Sequence, residues 1–216
     1  MSALPRHWIN AWRRAVARVL LFRVVFGERT PSGVPLPLTR ISPSTCIEHP
    51  ENLVLSDDVF IGHFNFIEAS HGVRIDAGVQ ITNYVSIVTH SSHRAQRLMG
   101  REYALRPQDD RPGFIAGSVH IGEHCYIGPH CVIEAGTQLG RGCIVASHSR
   151  VRGSFPDFAA ISGAPARVVG DTRATDAALL ELHPQWRAAY EAWAGTVASA
   201  PPAPATTAST EARPCE

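Results

Sequence analysis

The residues best suited to chemistry in this 216-residue chain are its eleven histidines and five cysteines. Two of the histidines, His90 and His93, flank Ser92 in the run Ile87-Val-Thr-His-Ser-Ser-His93, where a regular pattern of aliphatic residues stops. His90 stands three places after Ile87, out of step with the aliphatic positions, so neither imidazole has the setting of a core histidine. Such a ring can take or give a proton near neutral pH, or ligate a metal. The segment that follows, Ser92 to Ser118, carries Arg94, Arg97, Arg101, Arg106 and Arg111 with Glu102, Asp109 and Asp110, and is broken by Pro107 and Pro112. A long loop inside a compact repeat is usually functional. The cysteines read differently: no C-x-x-C is present, and Cys125, Cys131 and Cys143 hold the small position of a repeat, as buried thiols rather than metal ligands.

That repeat is the frame on which the histidines must be positioned. From Val119 to Val151 every sixth residue is aliphatic: Ile121, Ile127, Ile133, Leu139, Val145 and Val151. Four places after each of the first five stands a small residue, in turn Cys125, Cys131, Thr137, Cys143 and Ser149. A period of six fits neither a helix nor simple alternation and is the mark of a parallel β-helix, whose stacked units bury one core. Three units close one triangular coil, so Ile121 should stack with Leu139, Ile127 with Val145 and Ile133 with Val151. His120, His124, His130 and His148 fall at outward positions and read as solvated surface. Lower coils follow the same beat through Leu55, Ile61 and Ile67, then Ile75, Ile81 and Ile87, with Val59, Val79, Val85 and Ser91 at the corners. Between the two sets lies a two-residue slip at His71-Gly72-Val73-Arg74, expected as a bulge or local loop. Ile41 and Ile47 extend the series downward.

Residues 1–40 form an N-terminal helical arm, 41–169 the β-helix with its inserted loop 92–118, 170–195 C-terminal helices divided by Pro184, and 196–216 a tail whose Ala, Pro, Thr and Ser predict disorder. In the arm, Trp8, Trp12, Val16, Val19 and Phe26 share a helical face, while Arg6, Arg13, Arg14, Arg18, Arg23 and Arg29 face a single acid, Glu28. Such a helix could lie on an anionic membrane surface. The plainer expectation is a plug over the open end of the solenoid. Pro31, Pro35, Pro37 and Pro43 then predict an extended approach to the coils. A net charge of +1 gives no reason to expect nucleic acid. The arm is too charged for a membrane span, and no secretory signal pattern is present, so the expected location is the cytoplasm, with peripheral contact at the membrane's inner face as the arm's alternative.

The hexapeptide units, the Ile87–His93 run, the excursion after it and the closing Gly163-Ala-Pro-Ala-Arg-Val-Val169 together resemble the hexapeptide-repeat acyltransferases. Within that family the chain is most similar to maltose and galactoside O-acetyltransferases and to enzymes that acetylate bacterial surface polysaccharides. The resemblance covers residues 53–169. It implies an all-β fold, a left-handed parallel β-helix with a long inserted loop and flanking terminal helices, although parallel crossovers are normally right-handed. It also implies a homotrimer with sites between neighbours, acetyl-CoA as donor, no metal, and a sugar or glycan hydroxyl as acceptor.

In that chemistry a neutral imidazole takes the hydroxyl proton as the oxygen attacks the thioester. The family's histidine position corresponds here to Ser92, which leaves His93 and His90 as candidate bases; the smaller register slip favours His93. The resemblance places His63, Asn65 and Asn83 near the acceptor, with Arg97 and Arg101 of the loop orienting it. It places Tyr126, Ser147, Arg150, Arg152 and Arg167 along CoA, the arginines supplying the charge of a family lysine that is absent here. Two other classes share the repeat. A γ-class carbonic anhydrase needs two histidines five apart on one strand, a spacing no pair here has. A catalytically silent scaffold is the other.

Overall fold

A computed structural model describes residues 6–195. The six-residue beat becomes three parallel sheets that form the sides of a prism. Face I stacks Arg40–Ile41, Phe60–Ile61, Gln80–Ile81, Tyr126–Ile127, Ile144–Val145 and Ala159–Gly163, and an antiparallel strand, Ala166–Asp171, closes it. Face II stacks Cys46–Glu48, Phe66–Glu68, Ser86–Val88, Val132–Ile133 and Arg150–Val151. Face III stacks Leu53–Leu55, Val73–Ile75, Val119–Ile121, Gln138–Leu139 and Ser154–Phe155.

Register follows the sequence beat. Ile121 pairs with Leu139, Ile127 with Val145 and Ile133 with Val151. Ile41 pairs with Ile61 and Ile47 with Ile67, so the series does extend downward. Alternation turns the paired aliphatic residue inward, and Ile61, Ile67, Ile75, Ile81, Ile87, Ile121, Ile127 and Ile133 are wholly buried. The corner residues Val59, Val79, Cys131, Thr137 and Cys143 are wholly buried as well. Each corner thiol donates to a carbonyl of the next coil: Cys125 to Gly140 at 3.0 Å, Cys131 to Ala146 at 3.1 Å and Cys143 to Pro156 at 3.2 Å. The glycine that follows the aliphatic residue is required by the stacking. A Cβ on Gly122 would lie 2.8 Å from the Arg141 nitrogen, and one on Gly128 2.7 Å from that of Ser147. Along the edge between faces I and II, Phe64, Tyr84, His130 and His148 all have φ near +60° and stack ring on ring at 4.9–5.2 Å.

Three expectations are corrected. Ser91 is not a corner residue; His90–Ser91 pairs antiparallel with Ile115–Ala116 as the root of the inserted loop. Helix α2 (His93–Met99) and 3-10 turns at Gly100–Leu105 and Gln108–Asp110 fill the inserted loop. The arm's helix α1 (Arg6–Leu21) is not a plug: Trp8, Trp12, Val19 and Leu20 are all more than 60% exposed. After it the chain is not simply extended, because Glu28–Arg29 pairs back on Pro35–Leu36 in a short hairpin whose Leu36 is buried.

Residues 6–172 and 173–195 fall in two compact units. In the second, the helix that begins at Thr172 (α3, Thr172–Leu182) and helix α4 (Arg187–Ala194) are separated by a turn at Pro184–Trp186, and Tyr190 donates to Asp176 at 3.0 Å. The tail expected to be disordered lies outside the described residues.

Candidate active site

The site grows from the end of one short strand on face II. In Phe66–Glu68 the middle residue Ile67 points into the prism, so Glu68 should point to solvent, yet it is only 4% exposed. The two-residue slip explains this: the lengthened corner Ala69–Gly72 folds over the carboxylate, with Gly72 at φ +90° making the bend. Ser70 N–H donates to Glu68 Oε1 at 2.7 Å. Thr89 on the next coil donates its N–H to Oε2 at 3.0 Å and its hydroxyl at 2.7 Å. Burial pulls the Glu68 carboxyl upward, but the bonds from Ser70 and Thr89 outweigh it and hold the group down to about 2. Glu68 is therefore an anion at neutral pH and can only accept.

His90 Nδ1 lies 2.8 Å from Glu68 Oε2. Because the carboxylate offers no proton, the hydrogen of this bond belongs to Nδ1, and Nε2 is left as the basic nitrogen. Phe114, brought back by the loop, stacks on the His90 ring at 5.5 Å and 13°. Gln108 of the same loop donates to His71 Nε2 at 2.9 Å. The excursion thus folds onto its own prism around His71 and His90. His93 opens α2 and shares a 2.7 Å hydrogen bond with Ser91 Oγ; among the described residues no carboxylate is found bonded to its ring.

Both histidines line a pocket of about 190 Å³ with Val88, Ser91, Ile115 and Val132. Glu134 and Arg152 line it too, and they also line a second pocket of about 440 Å³ with Arg150, Pro165 and Arg167. Sharing those two residues, the cavities adjoin along face II, and the pair, hereafter the channel, has a polarised imidazole at the smaller cavity and three arginines at the larger. Arg150 lies 3.4 Å from Glu134 Oε1.

Other sequence-derived candidates sit elsewhere. Asn65 is a corner residue rather than a lining one: it is 2% exposed, donates to Gly62 and Thr82 carbonyls, and accepts from Val85 N–H. His63 bonds Ser42 Oγ at 2.6 Å, and Asn83 Oδ1 accepts from His63 N–H at 2.7 Å, both at the edge between faces I and II. Ser147 is exposed at the same edge. Arg97 and Arg101 are exposed on the loop and line neither pocket. Tyr126 is on face I, not on the face that carries the channel. His120 and Asp76 form another acid–imidazole pair at 2.7 Å on face III, where Arg74 also holds the carboxylate. Among the described residues no three His, Cys, Asp or Glu side chains converge to hold a metal.

Glu68, Ser70, Thr89, Phe114 and Glu134 were not singled out from the sequence. The available signal was the slip itself, which begins just after Glu68, in the coil beneath the histidine pair.

Residues 118–153 match the family described as bacterial transferase hexapeptide (six repeats). Over 126 residues the chain is 32% identical to a Mycobacterium tuberculosis (strain ATCC 25618 / H37Rv) protein named as an acetyltransferase, covering 58% of this chain and 39% of that protein. The match thus spans well under half of that relative's length. An Escherichia coli (strain K12) protein named as a lipopolysaccharide biosynthesis O-acetyl transferase is 28% identical over 144 residues, covering 67% of this chain and 69% of it. Among solved structures, a galactoside acetyltransferase in complex with coenzyme A has a TM-score of 0.55 at 19% identity, covering 65% of each chain. A hexapeptide-repeat acetyltransferase of Vibrio cholerae O1 biovar eltor, complexed with acetyl coenzyme A, has a TM-score of 0.53 at 22% identity, covering 75% of this chain and 77% of that one. These likenesses carry the fold, a left-handed β-helix.

Proposed function

We propose that this chain, whose residues 118–153 match the bacterial transferase hexapeptide family, is an O-acetyltransferase that moves an acetyl group from acetyl-CoA to a hydroxyl of a sugar or surface polysaccharide. The observation that carries this reading is the 2.8 Å contact between buried, ionised Glu68 and His90, at one end of a channel whose other end holds Arg150, Arg152 and Arg167. Three guanidiniums suit the phosphates of CoA. The CoA-bound state of two structural neighbours and the name of the E. coli relative support the donor and the acceptor class.

In this mechanism His90 Nε2 accepts the proton of the acceptor hydroxyl while its oxygen attacks the thioester carbonyl. The new C–O bond forms, the C–S bond of the tetrahedral intermediate breaks, and the imidazolium returns its proton to the departing thiolate. No covalent enzyme intermediate is needed. Glu68 fixes the tautomer that makes Nε2 basic and stabilises the imidazolium between the two transfers. His93 lines the same pocket and serves the acceptor rather than the proton. The working unit is a homotrimer, in which a neighbour supplies the second wall of the channel and brings its own Tyr126 to it.

Thiol release from acetyl-CoA tests the reading, measured with purified protein and a panel of sugars. Acceptor-dependent release that collapses in His90→Ala and persists in His93→Ala is expected. Release that no sugar stimulates, or that survives in His90→Ala, overturns it.

A further inference from the structure

Helix α1 is the part of the molecule that the proposed chemistry does not use. Its sixteen residues read Arg-His-Trp-Ile-Asn-Ala-Trp-Arg-Arg-Ala-Val-Ala-Arg-Val-Leu-Leu. At 100° per residue, Trp8, Trp12, Ala15, Val16 and Val19 fall on one side, bordered by Ile9 and Leu20, while Arg13, Arg14 and Arg18 fall on the other. The apolar side is uncovered: Trp8 is 63% exposed, Trp12 67% and Val19 64%. Beyond the helix the apolar exposure continues through Val25 and Phe26, both more than half exposed. A soluble chain does not leave two tryptophans and a run of aliphatic residues on one helical face without an occupant.

Charge identifies the occupant. The helix contains no acid at all, and Arg23 adds a further cation before Glu28, the first acid in the chain. A partner helix in a coiled coil is met by charges of both signs at the flanks of its apolar seam. Here the flanks carry one sign only, which matches a surface of uniform negative charge. A basic helix with tryptophans on its apolar face is built to lie in the plane of a bilayer, its rings among the headgroups and its arginines on the phosphates. No helix among the described residues is long and apolar enough to cross a membrane. We propose that α1 is a peripheral anchor which binds this protein to anionic lipid bilayers, with Trp8, Trp12, Val16 and Val19 inserted and Arg13, Arg14 and Arg18 paired with lipid phosphates. This inference stands apart from acyl transfer, since it concerns where the prism is held and not what its channel does.

The test is co-sedimentation of the full chain with vesicles of phosphatidylcholine alone and of phosphatidylcholine mixed with phosphatidylglycerol. Binding to the mixed vesicles should exceed binding to the neutral ones by more than about tenfold, and added salt should weaken it. Trp8→Ala/Trp12→Ala and Arg13→Glu/Arg14→Glu/Arg18→Glu should each abolish it. Circular dichroism and thermal unfolding serve as folding controls. Equal binding to both kinds of vesicle, binding that survives charge reversal, or no binding to either overturns the proposal. So does an assembly that falls apart in Trp8→Ala/Trp12→Ala with no vesicle binding by the parent, because the occupant is then a second copy of this chain.

Discussion

Glu68 reaches His90 from one coil of the prism to the next, Oε2 to Nδ1 at 2.8 Å, from a position only 4% exposed to solvent. The same oxygen takes two bonds from Thr89, so the carboxylate is held before any substrate arrives. Glu68→Gln tests what that contact does. A glutamine has nearly the same shape but can present an N–H to Nδ1, which would drive the ring proton to Nε2 and remove the base. Turnover should fall by about 10²-fold or more, with donor affinity nearly unchanged. An unaltered turnover number would remove Glu68 from the mechanism.

Acid stability gives an independent reading of the same residue. The carboxyl is held down from an ordinary 4.5 to about 2, so its contribution to folding is complete above about pH 4.5 and is lost as pH falls toward 2. Between those values the wild type should lose stability relative to Glu68→Gln, which cannot titrate. Urea unfolding at a series of pH values measures the difference. Two curves that run parallel through that window would mean the carboxylate is not held as described.

Most of the prism was legible in the sequence because its physics is periodic. Ile127 appears in the six-residue beat and also in the core, and the pairing of Ile133 with Val151 follows from spacing alone. The channel was partly legible: Arg150, Arg152 and Arg167 converge, although the resemblance rather than any pattern named them. The acid partner was not, because Glu68 occupies an outward strand position that reads as solvated. Only the slip after it, which brings Ser70 over the carboxylate, makes it buried. Spacing favoured His93 over His90, whereas the difference between them that bears on the proton is the tertiary contact of His90 to Glu68, which no spacing shows. The arm's helix was legible but its place was not: a plug was the plainer expectation and the apolar face is uncovered, since such a face does not specify what covers it.

The core columns set a scale for stability. Ile127→Ala should cost about 2–5 kcal/mol, because a wholly buried side chain in a stack between Ile81 and Val145 leaves a cavity that two rigid ladders cannot close. Tyr126→Ala, one residue away and on the outside, should change stability far less. Denaturant midpoints of the two variants measure the contrast; similar losses would mean that register on face I is not as described.

Donor binding should separate from chemistry. Arg152 lines both cavities, and Arg150 and Arg167 line the larger one. Phosphate contacts remote from the thioester hold ground and transition states alike, so Arg152→Ala/Arg167→Ala should raise the apparent donor KM more than it lowers turnover. Raising ionic strength should reduce the advantage of the wild type. A donor KM equal to that of the wild type would mean CoA takes another route over the coils.

The last prediction asks which parts of the site come from one chain. His90 and Arg152 border the smaller of the two adjoining cavities and Arg152 and Arg167 the larger, whereas Tyr126 belongs to face I and borders neither. If a neighbouring subunit closes the channel with its own face I, base and arginines act in cis and Tyr126 in trans. Mixed trimers distinguish the two. Refolding His90→Ala together with Tyr126→Ala should create some sites with an intact base from one chain and an intact tyrosine from the next, and activity should partly return. Refolding His90→Ala with Arg152→Ala/Arg167→Ala should restore nothing, since no single chain then carries both groups. Light scattering must first show trimers in each mixture. Recovery in the second mixture would mean that the channel is divided between subunits at Arg152, and a fully active monomer would remove the neighbour from the site altogether.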